Sequence, residues 1–312
     1  MFLNWKTKAN IQRVCAALPG SESIYYLLQS NLGVFRKDPD PMPNMRDAAL
    51  ILNEIPFRME GKRVMEVGTG RRMDMPVGFY LAGAASTDTV DLYRYMKPEL
   101  VFGSLRNLLE NRIEARDLFA PHAEGGAAAV DRRLDVLSQV RTFDELAKRT
   151  NIRYHAPADA RKTAFAAGSI DLQFSYTVFE HIPGDVLREI LIEAARVLHP
   201  KTGVACHHID LSDHFYQVDK SINMVNFLRY DEKEWSKYND NQFAYHNRLR
   251  PADYVQIYRA AGHEILARVD NVDEASVQDI ECGRLPLDAK YRGQDARSLS
   301  TVILRVLSRK EP

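Results

Sequence analysis

The run Arg63-Val64-Met65-Glu66-Val67 breaks directly into Gly68-Thr69-Gly70, and this constrains the fold more than any other stretch of the chain. A short apolar run closing on two glycines reads as a buried strand that turns straight into a helix. A turn without side chains leaves backbone amides bare at a helix N-terminus, where a ligand can lie against them. Alone, the same loop also serves as a tight turn with no ligand.

The rest of the chain repeats the alternation. A helix is expected from about Pro76 to Ala84, and Thr89-Val90-Asp91-Leu92 reads as a second strand. Residues 97–150 read as mostly helical, broken by Ala-Gly-rich turn material at 123–129. That is long for a link between neighbouring strands and implies an insertion. Residues 151–155 form an edge-like third strand and Ile170–Ser175 a fourth. A helix over residues 186–198 carries Ile190, Leu191, Ala194, Val197 and Leu198 on one face. Pro200 and Gly203 end it and turn the chain into a fifth strand, Val204–Ile209. A helix at 251–261 closes on Gly262, and 263–269 and 301–307 supply two last strands. Upstream, 8–35 reads as helical, Asp38-Pro39-Asp40-Pro41-Met42-Pro43 as a linker and 45–55 as a helix. The expected fold is α/β: a mostly parallel, seven-stranded sheet with helices on both faces. An N-terminal helical cap or lid (1–60) precedes the main domain (61–310), which carries insertions at about 97–150 and 211–250.

Composition narrows the partners. Lys+Arg and Asp+Glu both total 42, so no global field draws the chain to nucleic acid or an anionic membrane. Cys15, Cys206 and Cys282 are odd in number and far apart, which fits neither a zinc spacing nor a disulfide framework but suits a reducing cytoplasm. Met1-Phe2-Leu3-Asn4-Trp5-Lys6 meets a lysine before any apolar region develops, unlike a signal peptide. No apolar run approaches the roughly 20 residues that span a bilayer. A cytoplasmic protein acting on a small molecule is expected.

Two acids sharpen the ligand. Asp91 ends the second strand, where a carboxylate can accept ribose hydroxyls, and Asp159 follows the third, within Ala158-Asp159-Ala160. Two carboxylates so placed suit an adenosine and repel a pyrophosphate. Val64–Gly70, Asp91, Asp159, Ser169-Ile170-Asp171-Leu172 and Phe179-Glu180-His181-Ile182 resemble, in order, the motifs of class I S-adenosylmethionine-dependent methyltransferases, as does Arg196-Val197-Leu198-His199-Pro200-Lys201-Thr202-Gly203 before the fifth strand. The last run is similar to the small-molecule branch. The resemblance covers residues 60–210 well and 251–307 loosely. It implies a Rossmann-like fold and S-adenosylmethionine as cofactor. Glu66, Gly68 and Gly70 would hold the methionine part, Asp91 the ribose, and Asp159 with Ala160 the adenine; Ser175 joins the cofactor-binding set. Arg72 stands where the family has a third glycine.

Three rivals fit less well. An NAD(P)-dependent oxidoreductase would use Gly68-x-Gly70-x-x-Met73 as its fingerprint, but the third glycine is missing and Asp159 has no role there. Tyr93-x-x-x-Lys97 matches a short-chain dehydrogenase dyad but follows the second strand, away from a nicotinamide. A nucleic-acid amino-methyltransferase would need a proline-proline-aromatic turn where this chain has Ser175-Tyr176-Thr177-Val178. An inert cofactor-binding protein would have less reason to keep ionisable groups beside the site.

Those groups follow the fourth and fifth strands, at the ends that line the crevice in open α/β folds. His181 is one candidate base. His207-His208-Ile209-Asp210-Leu211-Ser212-Asp213-His214 packs five ionisable side chains into eight residues. Strand alternation sets His208 and Asp210 on one face and His207 on the other. His208, Asp210 and His181 are the catalytic candidates, with Asp213 and His214 beside them, and His207 is structural. No established metal-ligand spacing is present, so no metal is assigned and the cluster reads as a base before a divalent-ion site. Residues 226–250 mix aromatics, amides and arginines in a way that suits a sugar or other polar acceptor, or equally a small helical core. The expected reaction is O-methylation of a sugar or glycoconjugate precursor.

Overall fold

Seven strands form one sheet: β1 (Arg63–Val67), β2 (Ser86–Val90), β3 (Ile152–His155), β4 (Leu172–Tyr176), β5 (Val204–Asp210), β6 (His263–Val272) and β7 (Thr301–Lys310). Their order is β3-β2-β1-β4-β5-β7-β6. Strands β1 to β5 run parallel, while β7 pairs antiparallel with both β5 and β6. The computed structural model describes residues 4–18, 39–241 and 243–311.

The chain leaves β1 outward to β2 and β3, then returns to lay β4 on the other side of β1. That reversal opens a crevice at the carboxyl ends of β1 and β4, the place where open α/β sheets bind ligands. Each face of the sheet is covered. Val64, Phe174 and Cys206 pack with the helices at 42–54, 74–82 and 98–150. Met65, Val67, Ile209 and Val306 pack with those at 184–197 and 251–260. The insertion is helical throughout, in four pieces: Pro98–Glu110, Arg112–Phe119, Gly126–Ser138 and Phe143–Thr150.

Several boundaries move. Strand β2 begins at Ser86 and ends at Val90, so Asp91 lies just beyond it. Its Ser86-Thr87-Asp88-Thr89 stretch is fully buried despite its polarity. Asp88 is tolerated there because Arg153 donates two hydrogen bonds to it, each 2.7 Å, and His155 Nε2 lies 2.8 Å away. The helix Met42–Glu54 starts inside the expected linker. Pro43 sits in its first turn, where a missing N–H leaves nothing unpaired. The first helix runs Trp5–Ala16, capped by the Asn4 side chain on Lys6 N–H, and ends in a turn at residues 17–18; the expected helix over 19–35, with Asp38, lies outside the described residues. Two helices between β6 and β7, Glu274–Glu281 and Ala296–Leu299, have no counterpart in the sequence reading.

A third apolar cluster joins the first helix to the 211–250 region. Trp5 is buried among Phe215, Trp235 and Tyr238, with ring centroids 5.3, 6.4 and 4.8 Å away. Its backbone N–H donates to Asp219 Oδ2 at 3.1 Å. The aromatics of 226–250 thus serve in part as a small core.

Candidate cofactor and active site

Gly68 and Gly70 both have positive φ, +80° and +68°. At Gly68 the demand is also steric, since a Cβ would lie 2.6 Å from both methyls of Val178. The β1 loop therefore presses against the segment after β4 with no side chain between them. Gly70 N–H donates to Asp91 Oδ2 at 3.1 Å. Asp91 is further tied by its own N–H to the His155 carbonyl (3.0 Å) and by its carbonyl to Ala158 N–H (2.9 Å). Three parallel strands thus converge on one carboxylate that is 4% exposed. Burial pushes its pKa up to about 6, against the pull of Tyr154 and the Gly70 amide.

A cavity of about 890 Å³ opens above these strand ends, large enough for an adenosyl cofactor and a second small molecule. Among the described residues its floor is Gly68, Gly70 and Asp91, then Ala158–Arg161 after β3 and Thr177, Val178 and His181 after β4. Its roof is Lys8 and Gln12 of the first helix with Trp235 and Tyr245 of the 211–250 region. Asp159 stands in the wall with its carboxylate held by Arg161 at 2.7 Å.

Three imidazoles gather at one end. The His181 and His214 ring centroids are 5.0 Å apart, and His246 lies 4.8 Å from His214. His181 Nδ1 is 2.8 Å from the Tyr245 carbonyl, which can only accept, so the proton sits on Nδ1. The residue is densely surrounded, yet its ring opens onto the cavity. Burial, aided by His214, pushes its pKa down to about 4 and keeps it neutral. His246 has both nitrogens engaged, Nε2 with the Asp210 carbonyl and Nδ1 with Arg248 N–H, each at 3.3 Å. Glu180, beside His181, is fully buried. Among the described residues neither of its carboxylate oxygens has a properly oriented donor. Burial drives its carboxyl well above the usual range, eased slightly by the backbone amides of Glu180 and Asp210.

Four of the sequence candidates lie outside the cavity wall. Glu66 sits beneath the loop, 2% exposed, accepting from the Thr69 hydroxyl; it shapes the turn from below. Burial raises its pKa to about 7, against the hydrogen bonds of Thr69 and Thr89. Ser175 is buried, its hydroxyl 2.8 Å from His207 Nδ1, and His207 stacks on Phe179 at 4.1 Å. His208 does point opposite to His207, but away from the cavity: its ring lies 4.7 Å from that of Tyr176, whose hydroxyl donates to Asp47 in the helix Met42–Glu54. Asp210 shares that alternation but bends at the strand end. Its Oδ1 accepts from Ser212 N–H and hydroxyl (2.9 and 2.6 Å), and its Oδ2 lies 3.5 Å from His214 Nε2. Burial acts upward on it, but His214 and Ser212 outweigh that and hold its pKa at about 2. It reaches the cavity only through His214. Gly68, Gly70, Asp91, Asp159, Ala160 and His181 are in the wall.

Sequence reasoning passed over Glu180 and His246 as site residues, and Lys8 and Gln12 of the roof. Only the adjacency of β4 and β5 brings residues 180–181 to residue 214. Thr177, at φ +51° on the end of β4, is a strained non-glycine residue at this site that no local pattern announced.

The methyltransferase domain family model matches residues 127–206, from the helix Gly126–Ser138 into β5. No curated protein sequence matches the chain. Among solved structures, a geranyl diphosphate C-methyltransferase from Streptomyces coelicolor A3(2), in complex with Mg²⁺, geranyl diphosphate and S-adenosyl-L-homocysteine, is 12% identical, covering 85% of this chain and 78% of its own, with a TM-score of 0.46. The complex of the Haloferax volcanii Trm112 methyltransferase activator with a methyltransferase gives 16% identity, 86% and 90% coverage and a TM-score of 0.42. Such low identities and scores carry nothing of what those proteins act on to this chain. The strand order, the acid-tipped strands and the domain match over residues 127–206 are similar to those of class I S-adenosylmethionine-dependent methyltransferases. Within that class the cofactor is S-adenosylmethionine, and the side-chain-free cradle at Gly68 and the buried Asp91 fit an adenosyl group.

Proposed function

We propose that this protein methylates an oxygen atom of a small polar acceptor, of the kind presented by a sugar or glycoconjugate precursor. The observation that carries the reading is the continuity of one cavity from Gly68, Asp91 and Asp159 to His181 and His214. Gly68 and Gly70 offer backbone amides to the methionine end of the cofactor, Asp91 accepts from the ribose, and Asp159 with the Ala160 amide receives the adenine. When bound, the cofactor supplies an electrophilic methyl carbon on a sulfonium. The rest falls to positioning and water exclusion. Tyr245, partly exposed in the cavity wall, offers a ring face for a polar ring to stack on, and His181 remains neutral so that it does not repel a sulfonium. The first helix and the 211–250 region act as a lid, fastened by Trp5. A nicotinamide fits less well: the third glycine of its fingerprint is replaced by Met73, which is buried. All three cysteines are free, in keeping with a cytoplasmic setting.

The test is a coupled S-adenosylhomocysteine assay over hydroxyl, amine and carboxylate acceptors, with mass spectrometry of the product. Turnover that depends on a polyhydroxylated acceptor and gives an O-methyl product supports the proposal. An N- or C-methyl product overturns it.

A further inference from the structure

We propose that Glu180, His181 and His214 form a binding site for a divalent first-row transition-metal ion at the acceptor end of the cavity. One ligating atom from each residue lies within 4.8 Å of the other two. Around an ion held at about 2.1 Å, ligand atoms stand roughly 3–4 Å apart, so closure asks the farthest pair to approach by about 1–2 Å, within reach of small side-chain rotations.

Each donor is prepared in its own way. Glu180 is 0% exposed, and among the described residues neither carboxylate oxygen has a hydrogen bond of proper geometry, with only the Glu180 and Asp210 backbone amides acting on it. A carboxylate in such a place is ordinarily paired or on a metal. His181 gives its Nδ1 proton to the Tyr245 carbonyl at 2.8 Å, which fixes the tautomer and leaves the Nε2 lone pair free. Metal-bound histidines are oriented by that same backbone contact. His214 Nε2 is buried without a hydrogen bond of proper geometry, with only Asp210 Oδ2 near it at 3.5 Å. His246 is excluded as a ligand because both its nitrogens are taken.

Two imidazoles and one carboxylate suit Zn²⁺ or Mn²⁺ better than Mg²⁺, which prefers an all-oxygen shell. Three protein ligands leave coordination positions open. His181 and His214 both border the cavity, so those positions face the place the acceptor occupies. A hydroxyl oxygen bound there would be oriented and made more acidic. That acceptor role rests on the methyltransferase reading; the metal site itself does not.

The experiment titrates EDTA-treated protein with Zn²⁺, Mn²⁺ and Mg²⁺ by calorimetry and thermal shift, beside a separate titration with S-adenosylhomocysteine. The expected result is one-to-one binding of Zn²⁺ or Mn²⁺, weakened at least 100-fold in Glu180→Gln and in His214→Ala. A cooperative thermal unfolding transition in the same variants reports that they are folded. Absence of metal binding to the wild type, or equal binding by folded variants, overturns the site. If the metal binds as expected while S-adenosylhomocysteine does not, the site stands and the methyltransferase reading falls.

Discussion

Asp91→Asn should make the unliganded protein more stable and its cofactor binding weaker. The Asp91 carboxyl titrates at about 6 in the folded chain, against 3.8 ordinarily, chiefly because it is buried. A folded-state pKa raised above the unfolded value means that folding favours the protonated form. The ionised group therefore destabilises the fold above pH 6, and this effect disappears as pH falls through 6 towards 3.8. Raising the carboxyl from 3.8 to about 6 corresponds to roughly 3 kcal/mol at pH 7, an upper figure since water in the cavity reduces it. With an unfolding entropy of about 2.1 cal/mol/K per residue, 3 kcal/mol in a chain of this length is roughly 5 °C. Asparagine keeps an oxygen for the Gly70 amide but loses charge-assisted acceptance from ribose hydroxyls. That should raise the S-adenosylhomocysteine Kd by about 10- to 100-fold. Differential scanning fluorimetry at pH 7 and pH 4.5, with and without S-adenosylhomocysteine, reads both effects. The expected pattern is a higher unliganded Tm in the variant, a gap that narrows at pH 4.5, and a smaller ligand-induced shift. A variant that is less stable than wild type when unliganded, or that binds as tightly, refutes the placement of Asp91 as a ribose acceptor held at a stability cost.

Gly68→Ala should destabilise the protein by about 2 kcal/mol or more through its left-handed φ and its collision with Val178, and should abolish S-adenosylhomocysteine binding; adding Val178→Ala should recover part of the stability by relieving the collision. Trp5→Ala should remove about 3–5 kcal/mol of local packing and free the first helix to limited proteolysis, with weaker cofactor binding because Lys8 and Gln12 leave the cavity wall. His208→Ala should lower Tm but leave kcat within about twofold, whereas His181→Ala should lower kcat by about 100-fold; the reverse ranking in an acceptor assay would restore His208 as a site residue.

What the sequence disclosed follows from the range of the interactions involved. Strand β1 and its glycine turn are local and apolar, so Arg63–Val67 is placed to the residue. Strand β2 was read three residues late because Ser86-Thr87-Asp88-Thr89 carries no apolar signal. What buries Asp88 is Arg153 and His155, on a strand more than sixty residues downstream. The opposite facing of His207 and His208 follows from strand period alone. Which of the two faces borders a ligand does not, because that depends on where the helix Met42–Glu54 packs. Here it covers the His208 side through Tyr176 and Asp47. The meeting of His181 with His214 is similarly a product of sheet order, since β4 and β5 are neighbours. The helices at 274–281 and 296–299 are short, and their Asp273 and Asp295 caps are the one local signal that could have marked them.

The central claim, that the crevice over β1, β2 and β4 takes an adenosyl sulfonium cofactor, is tested most directly by calorimetric titration of the purified protein with S-adenosylmethionine, S-adenosylhomocysteine and NADH. The structure predicts one-to-one binding of the first two, lost in Gly68→Ala, and no heat with NADH. Binding of NADH with none of S-adenosylmethionine would contradict it.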